Sequence, residues 1–225
     1  GSFSLTANTT AVGNSAFGNE SLEANTTGTL NTALGWSSLN TNTTGNNNTA
    51  VGSSAAYATT TGSNNVAVGM NAFTLNTTGQ SNAVLGQAAL GSNTTGSDNT
   101  AVGRLSLHNS TTSSNNTAVG SNSLVANTTG TSNVAMGKAA LGVNTTGDNN
   151  TAIGFEALRD NTTGSRNTGI GINALYTTTT GVNQIALGRE AIASSATASN
   201  QCTLGDNNIS NLRCNDTSIS SLSDS

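Results

Sequence analysis

The stretch Asn150-Thr151-Ala152-Ile153-Gly154-Phe155-Glu156-Ala157-Leu158-Arg159-Asp160-Asn161-Thr162-Thr163-Gly164-Ser165-Arg166 decides the fold, because a step of 17 residues in either direction finds it again. Gly18, Gly35, Gly52, Gly69, Gly86, Gly103, Gly120, Gly137, Gly154, Gly171, Gly188 and Gly205 are equally spaced, and the period never slips. Numbered from the place four residues before each of these glycines, the consensus is N-T-A-V-G-x-x-A-L-x-x-N-T-T-G-x-x, and each place defines a column. A short fixed period is the mark of a solenoid, in which every unit stacks on its neighbours.

Each column has a physical reading. Column 4 is apolar throughout: Phe17, Leu34, Val51, Val68, Leu85, Val102, Val119, Met136, Ile153, Ile170, Leu187 and Leu204. Column 9 is mostly leucine and column 3 mostly alanine. Successive strand residues point to opposite faces, so columns 2 and 4 share one face and column 3 takes the other. The expectation is that columns 2, 4 and 9 fill the interior. The smooth alanine column then lies on an axis between identical chains, the alternative being alanine that simply faces water. Glycines at columns 5 and 15 read as corners, where positive φ is tolerated. Ser113 and Ala198 replace the second glycine in two units.

One glycine and several β-branched residues in every unit exclude helical repeats. Two short strands and two turns per coil are predicted, with a perimeter of at most roughly 56 Å. Twelve coils would make a rod of roughly 55–60 Å. Asparagines recur at column 1 (Asn14 to Asn167, then Gln184 and Gln201) and at column 12, and stacked amides form hydrogen-bonded ladders. Two sizeable apolar side chains per coil, at about 1.5–3 kcal/mol each, fall far short of the backbone entropy of 17 residues at about 1–2 kcal/mol each. A further buried surface between chains is therefore expected.

Composition bounds the function. The chain has 225 residues, no proline, 26 glycines, 7% charged residues and a net charge of −4. A strict period with low net charge separates it from a disordered segment. The six basic residues are scattered, so no phosphate-tracking stripe for nucleic acid exists. No apolar run approaches the roughly 20 residues that span a bilayer. Cys202 and Cys214 read as small buried hydrophobes rather than a disulfide framework. Gly1-Ser2 reads as an expression scar. The division is 1–13, tag remnant and N-terminal cap carrying Thr10-Ala11-Val12-Gly13; 14–205, a twelve-coil solenoid; and 206–225, a C-terminal segment.

Catalytic chemistry finds few candidates. The lone histidine, His108, falls at a turn or edge. Glu20 and Glu23 could serve as a carboxylate pair but have no aromatic cleft beside them. No His/Cys cluster has metal-ligand spacing. The reading is a protein that is not an enzyme, without cofactor or metal. Recognition would live in the variable columns of a rigid scaffold. Column 6 carries Trp36, Arg104 and Phe155, and column 10 carries Tyr57 and Tyr176. These five are the candidate ligand contacts, set against a plain role of covering coil edges. The threonine rank at column 13, from Thr26 to Thr179, gives a second function class: an ice-binding solenoid that orders water along its threonines.

The strand Thr117-Ala118-Val119-Gly120 resembles the small-Ala-apolar-Gly strands of trimeric autotransporter adhesin heads, and the longer unit resembles repeat arrays of bacteriophage and other viral tail-fibre proteins. The likeness covers Asn14 to about Gly205; the 17-residue unit is longer than that of the adhesin heads. It implies an all-β, left-handed parallel β-roll assembled as a homotrimer on the virion, in a tail fibre that attaches to a host-surface glycan or protein. Ile209-Ser210-Asn211-Leu212 and Ile219-Ser220-Ser221-Leu222 resemble the stretch before the intramolecular chaperone of endosialidase-type tailspikes, which is itself missing here. That resemblance places the chaperone-cleavage step at Ser223-Asp224.

Overall fold

In a computed structural model, residues 1–206 and 208 are described. Among them, every unit contributes one three-residue strand: β1 (Ser15–Phe17), β2 (Thr32–Leu34) and so on through β9 (Thr151–Ile153) to β12 (Cys202–Leu204). The twelve strands form one parallel sheet in chain order. Register is column on column, as in Ser15 opposite Thr32 and Phe17 opposite Leu34. The chain is thus an all-β parallel solenoid with a 17-residue coil and no helix among the described residues. Eleven complete turns separate β1 from β12, one fewer than the count of units, over about 53 Å at the usual strand spacing.

The interior reverses the expected facing of the sheet. Column 3 points inward: Ala50, Ala101, Ala118 and Ala152 are fully buried, while columns 2 and 4 on either side face out. The alanines meet the column-9 leucines, such as Leu107, Leu124 and Leu158, which are also fully buried. The space between them is small. At Gly169, the one glycine in column 3, an added Cβ would lie 3.3 Å from Leu158 Cγ. Alanine fits there because the leucine has already taken the volume, so column 3 is core and not an axis between chains.

The second expected strand is also replaced. Columns 7 and 9 hold non-glycine residues at positive φ in coil after coil, among them Glu156 (φ 53) and Leu158 (φ 51). Left-handed residues cost about 1–2 kcal/mol each. In return, the chain can point two consecutive residues inward, Ala157 and Leu158, which a strand forbids. From column 12 the buried places come every third residue: Asn144, Gly147 and Asn150.

Asparagine ladders close the polar interior, as the sequence implied. In column 1, Asn150 donates its backbone N–H to Asn133 Oδ1 at 2.9 Å, and Asn133 Nδ2 donates to the Gly147 carbonyl at 2.8 Å. In column 12, Asn144 Nδ2 donates to Asn127 Oδ1 at 2.9 Å and to the Gly147 carbonyl at 3.0 Å. Where Thr59, Ser110 and Thr178 interrupt column 12, the amide oxygens of Asn42, Asn93 and Asn161 lose their donors. Asn133→Ala should orphan the Asn150 backbone N–H and leave the Gly147 carbonyl with Asn144 Nδ2 as its remaining side-chain donor. At about 1–3 kcal/mol for a buried orphan, the expected loss is ~2 kcal/mol, read as a lower urea midpoint.

The first residues belong to the stack. Leu5 N–H donates to Ser21 O at 3.2 Å, Ala7 N–H to Glu23 O at 3.1 Å, and Glu20 N–H to Ser2 O at 3.0 Å. Gly1 sits over Gly18 as other column-5 glycines sit over theirs. Residues 1–13 therefore occupy columns 5 to 17 of a coil stacked on the first full unit. Thr10-Ala11-Val12-Gly13 falls at columns 14 to 17, out of phase with the strand it imitates. Cys202 lies outward in column 2 and is exposed, against the expected burial. Cys214, and with it most of 206–225, lies outside the described residues.

Candidate functional site

The outer face of the sheet is the most distinctive surface. Column 4 runs along it as an apolar stripe: Phe17, Leu34, Leu85, Met136, Ile153, Ile170, Leu187 and Leu204 are exposed, and the intervening valines are half-buried. Column 2 beside it is threonine in six of its twelve places, with Val66, Val134 and Ile185 among the others. On the other side column 6 adds Trp36 at 55% exposure, Met70, Phe155 and Ile172. Monomeric proteins rarely expose contiguous apolar patches beyond a few hundred Å². This stripe is continuous because the sheet register is, so each apolar side chain stands about 4.8 Å from the next.

The five predicted contact residues do not converge. Trp36, Arg104 and Phe155 share column 6, but Trp36 and Arg104 are four coils apart, about 19 Å. Tyr57 and Tyr176 share column 10 at still greater separation. Two cation–ring contacts lie near the C-terminal half: Lys138 Nζ is 5.8 Å from the Phe155 ring centre and the Arg159 guanidinium 5.5 Å from that of Tyr176. Arg159 is further held by Asp160 at 2.8 Å and Glu156 at 2.9 Å. The Asp160 hydrogen bond is the main reason its pKa stands above the usual arginine range.

The residues weighed for catalysis are used by the coil. Glu20 Oε2 accepts from Ser37 Oγ at 2.8 Å and Glu23 Oε2 from Asn40 Nδ2 at 3.1 Å, each tying one coil to the next. His108 Nδ1 lies 2.7 Å from the Ala88 carbonyl. The column-13 threonines turn their hydroxyls onto the next coil, as in Thr145 Oγ1 to Thr162 O at 3.0 Å. Among the described residues no group of three His, Cys, Asp or Glu is placed to hold a metal ion, and no helix is long and apolar enough to cross a membrane.

Sequence reasoning missed one concavity. A cleft of about 440 Å³ near the C-terminal end of the stack is lined by Asn173, Tyr176, Glu190, Ile192, Asp206 and Asn208. Asn208 N–H donates to Asp206 at 2.9 Å and holds that carboxyl below its ordinary range. These residues come from columns 6 to 10 of neighbouring coils. Their column numbers could have put them side by side, but not shown that they frame a hollow. Ser223 and Asp224 lie outside the described residues. Compared with protein-family profiles, curated proteins and solved structures, the chain matches none.

Proposed function

We propose that this chain is a structural and adhesive segment of a homotrimeric viral tail fibre that takes part in host-surface attachment. The carrying observation is the apolar stripe of column 4, which faces outward along the whole described solenoid, exposed at eight places and half-buried at its four valines. Its occupant is two further copies of the same chain. A stripe with one rise per coil is matched in pitch by an identical, parallel stripe. Columns 2 to 6 span about 53 Å by about 15 Å, on the order of 800 Å² per chain, the area each partner gives to a specific interface. Resemblance to viral fibre repeats supports the virion location and a left-handed coil.

In this arrangement column 6 rims the contact. Trp36, Arg104 and Phe155 then line the clefts between chains, and Tyr57 and Tyr176 stand further out, where a glycan or a protein of the host surface would bind. Light scattering coupled to size exclusion tests the assembly. The expected native mass is three times the 22.2 kDa chain. A single-chain mass would overturn the trimer, and thermal hysteresis from that monomer would replace the fibre with the ice-binding reading.

A further inference from the structure

Column 12 is followed by two threonines in most units, so it repeatedly spells Asn-x-Thr, the acceptor signal for N-linked glycosylation. Such signals ordinarily lie on accessible loops. Here Asn25, Asn42, Asn76, Asn93, Asn127, Asn144 and Asn161 are all fully buried. Their Nδ2 atoms, the atoms a transferase would modify, are bound inside the coil: Asn144 Nδ2 to Gly147 O at 3.0 Å and Asn161 Nδ2 to Gly164 O at 2.9 Å. There is no room beside them. A single Cβ added at Gly147 or Gly164 would already press on the same amide groups and on the next coil's backbone.

We propose that these seven asparagines are masked acceptors, so that N-glycan transfer and the solenoid fold exclude one another. The chain reaches its fold only where no Asn-x-Ser/Thr-directed oligosaccharyltransferase meets it unfolded. Transfer joins Asn Nδ2 to the anomeric carbon of the sugar, breaks that carbon's bond to a lipid-linked pyrophosphate, and releases one amide proton. A glycan placed on the nascent chain cannot be packed into column 12, and one modified coil interrupts the ladder on both sides. By contrast, Asn47, Asn115 and Asn149 carry the same signal at column 17 and are exposed. They can accept a glycan without disturbing the core. The inference rests on burial within one chain and stands apart from the fibre reading.

The test expresses the full chain in one eukaryotic cell line by two routes, in the cytosol and behind a cleavable secretion signal. Site occupancy is read by mass spectrometry, and folding by far-UV circular dichroism and protease resistance. The expected cytosolic product is unmodified and folded. The expected secreted product carries glycans at column 12 and has lost the solenoid. Blocking lipid-linked oligosaccharide synthesis should restore the fold on the secretory route. So should replacing the exposed column-14 threonine of each of the seven signals by valine. A secreted chain that folds with any of the seven buried asparagines glycosylated overturns the proposal, as does one that folds with all seven untouched while the transferase is active. Failure of the untreated sequence to fold under the block overturns it too, because the glycan is then not the cause.

Discussion

Ala152→Glu and Ile153→Glu, one residue apart in β9, are expected to fail in opposite ways. Ala152 is fully buried and faces the leucine column; Ile153 is 37% exposed on the outer face. A glutamate at 152 brings one extra methylene and a charged carboxylate into a space sized for one methyl group. Its carboxylate finds only alanine and leucine side chains and backbone groups already paired. The effective penalty for an unpaired buried ion is several kcal/mol, on the order of 5 here with the overpacking included. Each coil rests only on its neighbours, so the damage spreads along the stack from that rung. The expected result is loss of the cooperative unfolding transition and protease cleavage around residues 140–170. Glutamate at 153 leaves the coil intact, with an unchanged far-UV spectrum. It places three like charges in the proposed interface, and the native mass falls to that of one chain. If 153 unfolds the coil and 152 does not, the sheet faces the other way. If both variants stay folded and trimeric, the stripe is not the contact.

The facing of the sheet was the point at which the sequence misled, and the reason is physical. The period, the parallel column-on-column register and both amide ladders were legible because each is a property of spacing, and a glycine every 17 residues fixes spacing without side-chain detail. Hydrophobicity alone points the larger apolar column into the core. Size constancy was the better signal. Column 3 is nearly always alanine because the leucine opposite leaves no choice. Column 4 wanders through Phe, Leu, Val, Met and Ile because nothing within its own chain packs against it. The missing second strand has a similar origin. No periodicity rule anticipates leucine at positive φ, as at Leu124 (φ 49) and Leu141 (φ 50), so two consecutive inward residues were invisible. The candidate contacts were legible as outward columns, but how far apart they stand and the cleft at Asn173 and Glu190 depend on where each coil sits.

The two glycine columns differ in kind, and substitution should separate them. Gly120 has φ 131, and a Cβ there would lie 2.6 Å from the Gly137 carbonyl oxygen. Alanine incurs both a conformation that L-residues avoid and a collision with backbone, so Gly120→Ala is expected to cost about 3 kcal/mol or more. No side-chain change nearby can relieve it. Gly147 has no such backbone demand. A Cβ there meets the Gly164 carbonyl, but also Asn144 Oδ1, a side-chain atom of its own coil. The chain contains the compensation already. Ser113 replaces a column-15 glycine where Ser110 replaces the column-12 asparagine, and their hydroxyls bond to each other. Ala198 likewise follows Ser195. Gly147→Ser alone is therefore expected to clash, and Asn144→Ser alone to break the ladder to Asn127 and Asn161. Together they recreate the arrangement at 110 and 113. The double variant should recover about 1–2 kcal/mol relative to the sum of the singles, measured as a double-mutant cycle in urea. Simple additivity would mean that the carbonyl of the next coil, not the amide of the same coil, keeps column 15 glycine.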